Sequence, residues 1–337
     1  MCNSQSPVLL SGIQPSGYLC IGNYIGALKN WVSLQNTHDS IFLVVDMHAL
    51  TIKQEPAKLR QRCLAYVAQY IACGIDPEKS TIVIQSHVPQ HAELMWILNT
   101  MTYMGELNRM TQFKDKSKKY AGQINAGLFS YPVLMASDIL IYQAELVPVG
   151  ADQKQHLELA RDLAMRFNAQ YSDTFVVPEP YIPKSGARIM SLQDPEKKMS
   201  KSDENMNNLI ALLDSPDIIR KKIKRAVTDS ESKIKLAKSR PGISNLINIY
   251  SIITGIPIRD VENQFSEKMY SDFKRDLGDI IVDYLAPIQA RYNTIIDDKV
   301  YLENILSKGA ENAYYRAQKT LSKVYRKVGF IPKISGS

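Results

Sequence analysis

Cysteine is scarce: Cys2, Cys20, Cys63 and Cys73 are the four in 337 residues. No two of them form a C-x-x-C pair, so the ligand spacing of zinc and iron–sulfur sites is missing and no structural metal is expected. A secreted disulfide scaffold is excluded by the same scarcity. No apolar run approaches the roughly 20 residues that cross a bilayer, so no membrane partner is expected. Met1–Pro7 lacks the basic region and apolar core of a signal peptide, which sets the expectation of a cytoplasmic protein. Neither G-x-G-x-x-G nor G-x-x-x-x-G-K-[ST] occurs, which removes the dinucleotide fingerprint and the P-loop. No internal repeat or low-complexity tract is present.

The rest is that of an ordinary globular chain, with 45% hydrophobic and 22% charged residues. Its length allows one large domain with a smaller second one. Charge is placed unevenly. Residues 1–205 hold 19 Lys+Arg and 19 Asp+Glu, whereas residues 206–337 hold 22 and 15, so the whole net charge of +7 lies in the C-terminal part. Such an excess fits a nucleic-acid footprint and fits a lysine-rich solvated surface equally.

The most informative stretch is Ser11-Gly-Ile-Gln-Pro-Ser-Gly-Tyr-Leu-Cys-Ile-Gly-Asn-Tyr-Ile-Gly-Ala27. Val8-Leu9-Leu10 before it reads as a buried strand. Ile25, Leu28 and Val32 after it recur at helical spacing, so a helix is predicted from Gly22 or Asn23. A glycine-rich turn there aims backbone N–H groups and the helix dipole at whatever lies above, which suits a phosphate or a nucleotide. A tight, well-capped connection would use the same residues. Cys20, at the start of that helix, is predicted to be a reactive thiol of lowered pKa.

Further strands are predicted at Ile41–Asp46, Thr81–Gln85 and Leu146–Gly150, with helices from Pro56 to an end marked by Gly74, over roughly 91–103 and from His156 to Phe167. Alternating strands and helices give an α/β fold with a parallel sheet, whose ligands sit beyond the carboxyl ends of the strands. His48 falls at such an end. Tyr131, Met135, Asp138 and Tyr142 share one face of a helix whose first turn is predicted to hold Pro132. Most of its other residues are apolar, so Asp138 needs a partner: a ligand donor, or a nearby cation or backbone N–H. Lys197-Lys-Met-Ser-Lys-Ser-Asp203 carries ammonium and hydroxyl groups suited to clamping a triphosphate. After residue 206 strand signals nearly vanish. Helical patterns follow, with basic clusters at Lys221, Lys222, Lys224, Arg225 and at Lys319, Lys323, Arg326, Lys327.

Two of these stretches resemble the paired motifs of class I aminoacyl-tRNA synthetases. Cys20-Ile-Gly-Asn23 is similar to the first, and Lys198-Met-Ser-Lys-Ser202 is a complete match to the second. Gly12-Ile-Gln-Pro-Ser-Gly17 followed by Ile21-Gly-Asn-Tyr24 resembles the bacterial tryptophanyl branch. The resemblance spans Ser11 to about Phe330. It implies a Rossmann-like catalytic domain over 1–205 with an insertion at about 105–185, a mainly helical anticodon-recognition domain over 206–318, and a C-terminal helix over 319–337 that returns to the catalytic part. It implies a homodimer that uses L-tryptophan, ATP with Mg2+, and tRNA(Trp).

By the match, Lys198, Lys201 and Asn23 are catalytic. Gln14, Pro15, Ser16, Gly22, Asn23, Gly150, Ala151, Asp152, Ile189, Met199, Ser200 and Ser202 join the two lysines around ATP. Gly12, His48, Tyr131, Met135, Asp138, Val147, Val149 and Gln153 surround tryptophan, with Asp138 reading the indole N–H. Three positions depart from the family pattern: Cys20 replaces a usual His or Thr, Ala151 a common Glu, and Leu10 a frequent aromatic. Alternatives are the tyrosyl-type sibling, a small-molecule nucleotidyltransferase without tRNA, and an inactive RNA-binding paralogue.

Overall fold

A computed structural model describes residues 6–119, 124–150, 153–182, 188–231 and 233–331. The chain opens with β1 (Val8–Ile13). A helix in three contiguous pieces follows: α1 (Ile21–Asn23), a π-helical stretch (Tyr24–Leu28) and α2 (Lys29–Leu34). Next come β2 (Asp39–Val44), α3 (Asp46–Ala49), α4 (Pro56–Ala72), β3 (Ser80–Ile84) and α5 (Gln90–Asn99). They lead to α6 (Met104–Asn108), α7 (Thr111–Lys119), α8 (Ala126–Ile141), β4 (Leu146–Pro148), α9 (Lys154–Gln170) and β5 (Glu179–Tyr181). The remainder is α10 (Pro216–Arg225), α11 (Pro241–Thr254), α12 (Ile258–Gln264), α13 (Tyr270–Asp297) and α14 (Lys299–Val328).

The strands form one parallel sheet in the order β3-β2-β1-β4-β5. Side chains alternate across a strand, and the alternation here separates two cores. Leu9, Phe42, Val44, Ile82 and Ile84 face one side and share a core with Trp31, Tyr66 and Tyr70 that continues outward into residues of α11 and α13. Leu10, Ile41, Leu43 and Val83 face the other, under α5, α8, α9 and the Ala313, Ala317, Leu321, Val324 stripe of α14. Leu10, where an aromatic is frequent in the family, is thus a core residue, 4% exposed. The first core continues past residue 205 into the helical part, and α14 passes residue 319 without a break.

Two predicted details differ. Pro132 lies inside α8, not in its first turn. The helix starts earlier because the Asn125 side chain accepts from Leu128 N at 2.9 Å while its amide holds Thr51 O at 3.0 Å. Pro132 then removes one interior hydrogen bond, which the burial of the surrounding helix tolerates. Strand β5 carries no sequence signal: it is three residues long and includes a proline.

Candidate active site

The carboxyl ends of β1, β2, β3 and β4 run into Gln14, the short helix with His48, Gln85 and Val149, respectively. These ends bring the two sequence motifs together. Lys201 Nζ donates to the carbonyl oxygen of Gln14 and lies 5.2 Å from the centre of the Tyr66 ring. Tyr66 in turn donates to Ser16 O at 3.1 Å. Tyr18 N donates to Lys201 O at 3.3 Å. Gly17 stands between them at φ +69°, and a Cβ there would collide with the Lys201 carbonyl. Lys201 is half-buried as a residue, but its ammonium end is the desolvated part, and that burial pushes its pKa down to about 7.

The second motif is mounted on a hairpin-like pairing. Met199 N donates to Ile189 O at 3.0 Å and Ser191 N to Lys197 O at 2.8 Å. Asn245 of α11 clamps it, exchanging two 2.9 Å bonds with the backbone of Met190. Ile189 and Met199 are core side chains that pack beside Gly22. Pro15 is buried below the turn. Lys198, Ser200 and Ser202 are exposed. Ala151 and Asp152 lie outside the described residues, next to the exposed Gly150, whose carbonyl accepts from Gln153 N at 3.0 Å.

Cys20 does not behave as predicted. Its Sγ is fully enclosed and donates to Asn23 Oδ1 at 3.1 Å, as does its backbone N at 3.1 Å. Burial raises the thiol pKa and outweighs the backbone N–H groups of Asn23 and Gly22 at the helix start, which act to lower it. A solvent-borne reagent has no route to this sulfur in the folded chain. The same two bonds turn Asn23 Oδ1 inward.

The deepest part of the site is polar. Asp138 of α8 is 3% exposed. Its Oδ1 accepts from Gln85 Nε2 at 2.7 Å and from His91 Nδ1 at 2.7 Å, and its Oδ2 from His48 Nε2 at 2.9 Å. Burial alone would push this carboxyl up, but the two histidine contacts win and hold it down at about 2. An ionised carboxylate has about four acceptor positions, and the described residues fill three of them. The Tyr131 and His48 rings stand nearly perpendicular with centroids 6.2 Å apart, and the Tyr131 hydroxyl shares a 2.8 Å bond with His156 Nε2. Gln14 Nε2 reaches His48 O at 3.4 Å, so one glutamine spans the Lys201 and Asp138 halves. Gly12 packs tightly on Leu43 and Val45 and leaves exposed backbone at the edge. Val147 is in the core, with Met135 and Val149 packed partly buried against it. Tyr142 shares the face of Asp138 already in the sequence, but Gln85 and His91 carry no such signal. Their types are unremarkable, and only the sheet and α5 bring them to Asp138.

A family profile described as tRNA synthetases class I (W and Y) matches residues 3–286. A tryptophan–tRNA ligase of Clostridium acetobutylicum is 58% identical over 325 residues, covering 96% of this chain and 97% of its own. The chain belongs to the tryptophanyl-tRNA synthetases. A tryptophan–tRNA ligase of Clostridium perfringens is 56% identical, covering 97% of this chain and 98% of its own. The crystal structure of the tryptophanyl-tRNA synthetase from Mycoplasma pneumoniae superposes with a TM-score of 0.87 at 36% identity, over 97% of this chain and 99% of that one. The Campylobacter jejuni synthetase, solved with ADP and tryptophan, gives 0.83 at 34%, over 96% and 100%. The Rossmann-like class I synthetase fold is therefore that of this chain.

Proposed function

We propose that the chain activates L-tryptophan with ATP, releasing pyrophosphate from tryptophanyl-adenylate, and then transfers tryptophan to the 3′ end of tRNA(Trp). The observation that carries this reading is the bridge made by Gln14: its carbonyl meets Lys201, and its amide meets the backbone of His48, whose ring bonds to Asp138. A phosphate-binding half and an acceptor-lined pocket thus share one residue at the carboxyl end of the central strand. The ADP and tryptophan of the Campylobacter jejuni relative are the ligand pair expected for those two halves.

In the first step the tryptophan carboxylate attacks the α-phosphorus, and charge grows on the leaving pyrophosphate. Positioning and charge stabilisation do most of the work in such a transfer. Lys201 leaves Gln14 O for the phosphates, and Lys198, already in solvent, joins it. Asn23, its Oδ1 held inward, offers Nδ2 towards the nucleotide, with Gln14, Ser16 and Gly22 on the same side. Gly150, Ala151 and Asp152 complete the adenosine side, with Ser200 and Ser202 near the phosphates. Mg2+ enters as part of the ATP substrate. Among the described residues no cluster of His, Cys, Asp and Glu could hold a resident metal.

The indole N–H is a donor without acceptor capacity, so it suits the fourth acceptor position of Asp138. Gly12, His48, Tyr131, Met135, Val147, Val149 and Gln153 shape the pocket around it. Of the C-terminal excess of +7, residues 206–318 hold +2 and 319–337 hold +5, which supports tRNA contact by the helical part, 206–318, together with the C-terminal helix, 319–337, that returns to the catalytic part. A homodimer is supported by the exposed Trp96, Tyr103 and Met104, each at least 66% accessible, on neighbouring segments of α5 and α6. A cytoplasmic setting completes the reading. Among the described residues no helix is long and apolar enough to cross a membrane.

The test compares single-turnover adenylate formation with tRNA charging in Lys201→Ala. Adenylate formation is expected to slow by about 100-fold or more, with tryptophan binding nearly unchanged. Normal activation with failed transfer would remove Lys201 from the first step.

A further inference from the structure

We propose that His91 is a positioning residue for tryptophan selection, fixing the Asp138 carboxylate so that one acceptor position of Oδ2 faces the indole N–H. The proposal rests on the reading of Asp138 given above.

His91 is completely buried and reaches Asp138 from α5, across from the helix that carries the carboxylate. An ionised carboxylate can only accept, so the 2.7 Å contact requires the proton on His91 Nδ1. The other ring nitrogen, Nε2, meets Tyr142 Oη at 2.8 Å. Tyr142 stands one helical turn beyond Asp138, so a single segment supplies the carboxylate and the group that holds the histidine ring. Ser137 Oγ ties the His91 carbonyl to α8 at 2.7 Å, which fixes the distance between the two helices at this point.

Gln85 completes the frame. Its Oε1 accepts from Met47 N at 3.1 Å, so its amide cannot turn over without losing that bond, and Nε2 must face Asp138. Both acceptor positions of Oδ1 are then filled, while His48 meets the other oxygen, Oδ2. Rotation of the carboxylate about its Cβ–Cγ bond would break all three contacts at once. Without His91, Oδ1 has a position to spare, the group can turn, and the indole no longer meets one defined acceptor.

The reporter is the ratio of kcat/KM for tryptophan to that for β-(3-benzothienyl)alanine, in which sulfur replaces the N–H. The parent enzyme is expected to show a ratio of about 100 or more. His91→Leu is expected to lower that ratio at least about tenfold, with KM for ATP unchanged. His91→Asn, which keeps a donor near the Nδ1 position, should hold it within about threefold. A folded His91→Leu enzyme that keeps a large ratio overturns the relay alone. A parent ratio near one overturns the reading of Asp138 and the relay with it. If the leucine variant does not fold, Tyr142→Phe carries the test: a lower ratio supports the relay, and an unchanged one overturns it.

Discussion

At the scale of single residues, burial decides chemistry here more than neighbouring sequence does. Cys20 has the local setting of an activated thiol, yet it is enclosed and its pKa is raised. Maleimide is therefore expected to leave activity intact in the folded enzyme under brief exposure. Rapid inactivation blocked by Cys20→Ser would contradict the placement. Lys201 shows the opposite sign of the same effect. Its folded pKa, about 7, lies below the ordinary 10.5, so between those values the unfolded chain binds the extra proton. The contribution of this group to stability rises with pH across that window. It also leaves Lys201 mostly neutral at pH 8 until phosphates arrive and favour the ammonium. ATP binding at pH 8 is thus expected to take up a proton. Titration calorimetry in buffers of different ionisation enthalpy would show it, and Lys201→Met should abolish it. Heats independent of buffer in the parent would mean that Lys201 is already charged.

At the scale of elements, two glycines mark where backbones come closest. Gly17 has a positive φ and lies against the second motif. Gly17→Ala is expected to cost about 1–3 kcal/mol and to slow adenylate formation, because the Lys201 loop can no longer dock. Gly309 lies in the middle of α14 against the Ile82 carbonyl of β3. In an unconstrained helix alanine would stabilise by about 1 kcal/mol. Here a Cβ would collide with β3, so Gly309→Ala is expected to lower Tm, and a raised Tm would contradict the packing of α14 on the sheet edge.

The legibility of the elements follows the same physics. β1, β2 and β3 are short, apolar and buried on both faces, so they stand out in the sequence. β5 does not, because its pairing with β4 does not depend on a hydrophobic pattern. Asp138 was recognisable as a buried carboxylate in an apolar helix. His91 was not, because it becomes a partner only when α5 packs against α8.

At the scale of the whole molecule, the two halves of the chain are joined by a shared core but differ in charge. That difference separates the two reaction steps experimentally. tRNA binding is expected to weaken steeply with salt, while tryptophan-dependent pyrophosphate exchange changes little where the fold is intact. Equal salt sensitivity of both would place the RNA contacts elsewhere than the basic helical half. The central claim is amino-acid activation with tryptophan as the chosen substrate. ATP–pyrophosphate exchange measured with each of the twenty amino acids in turn tests it most directly. Tryptophan is expected to support exchange far above the rest, with tyrosine at background. Exchange driven equally well by tyrosine, or by no amino acid, would contradict it.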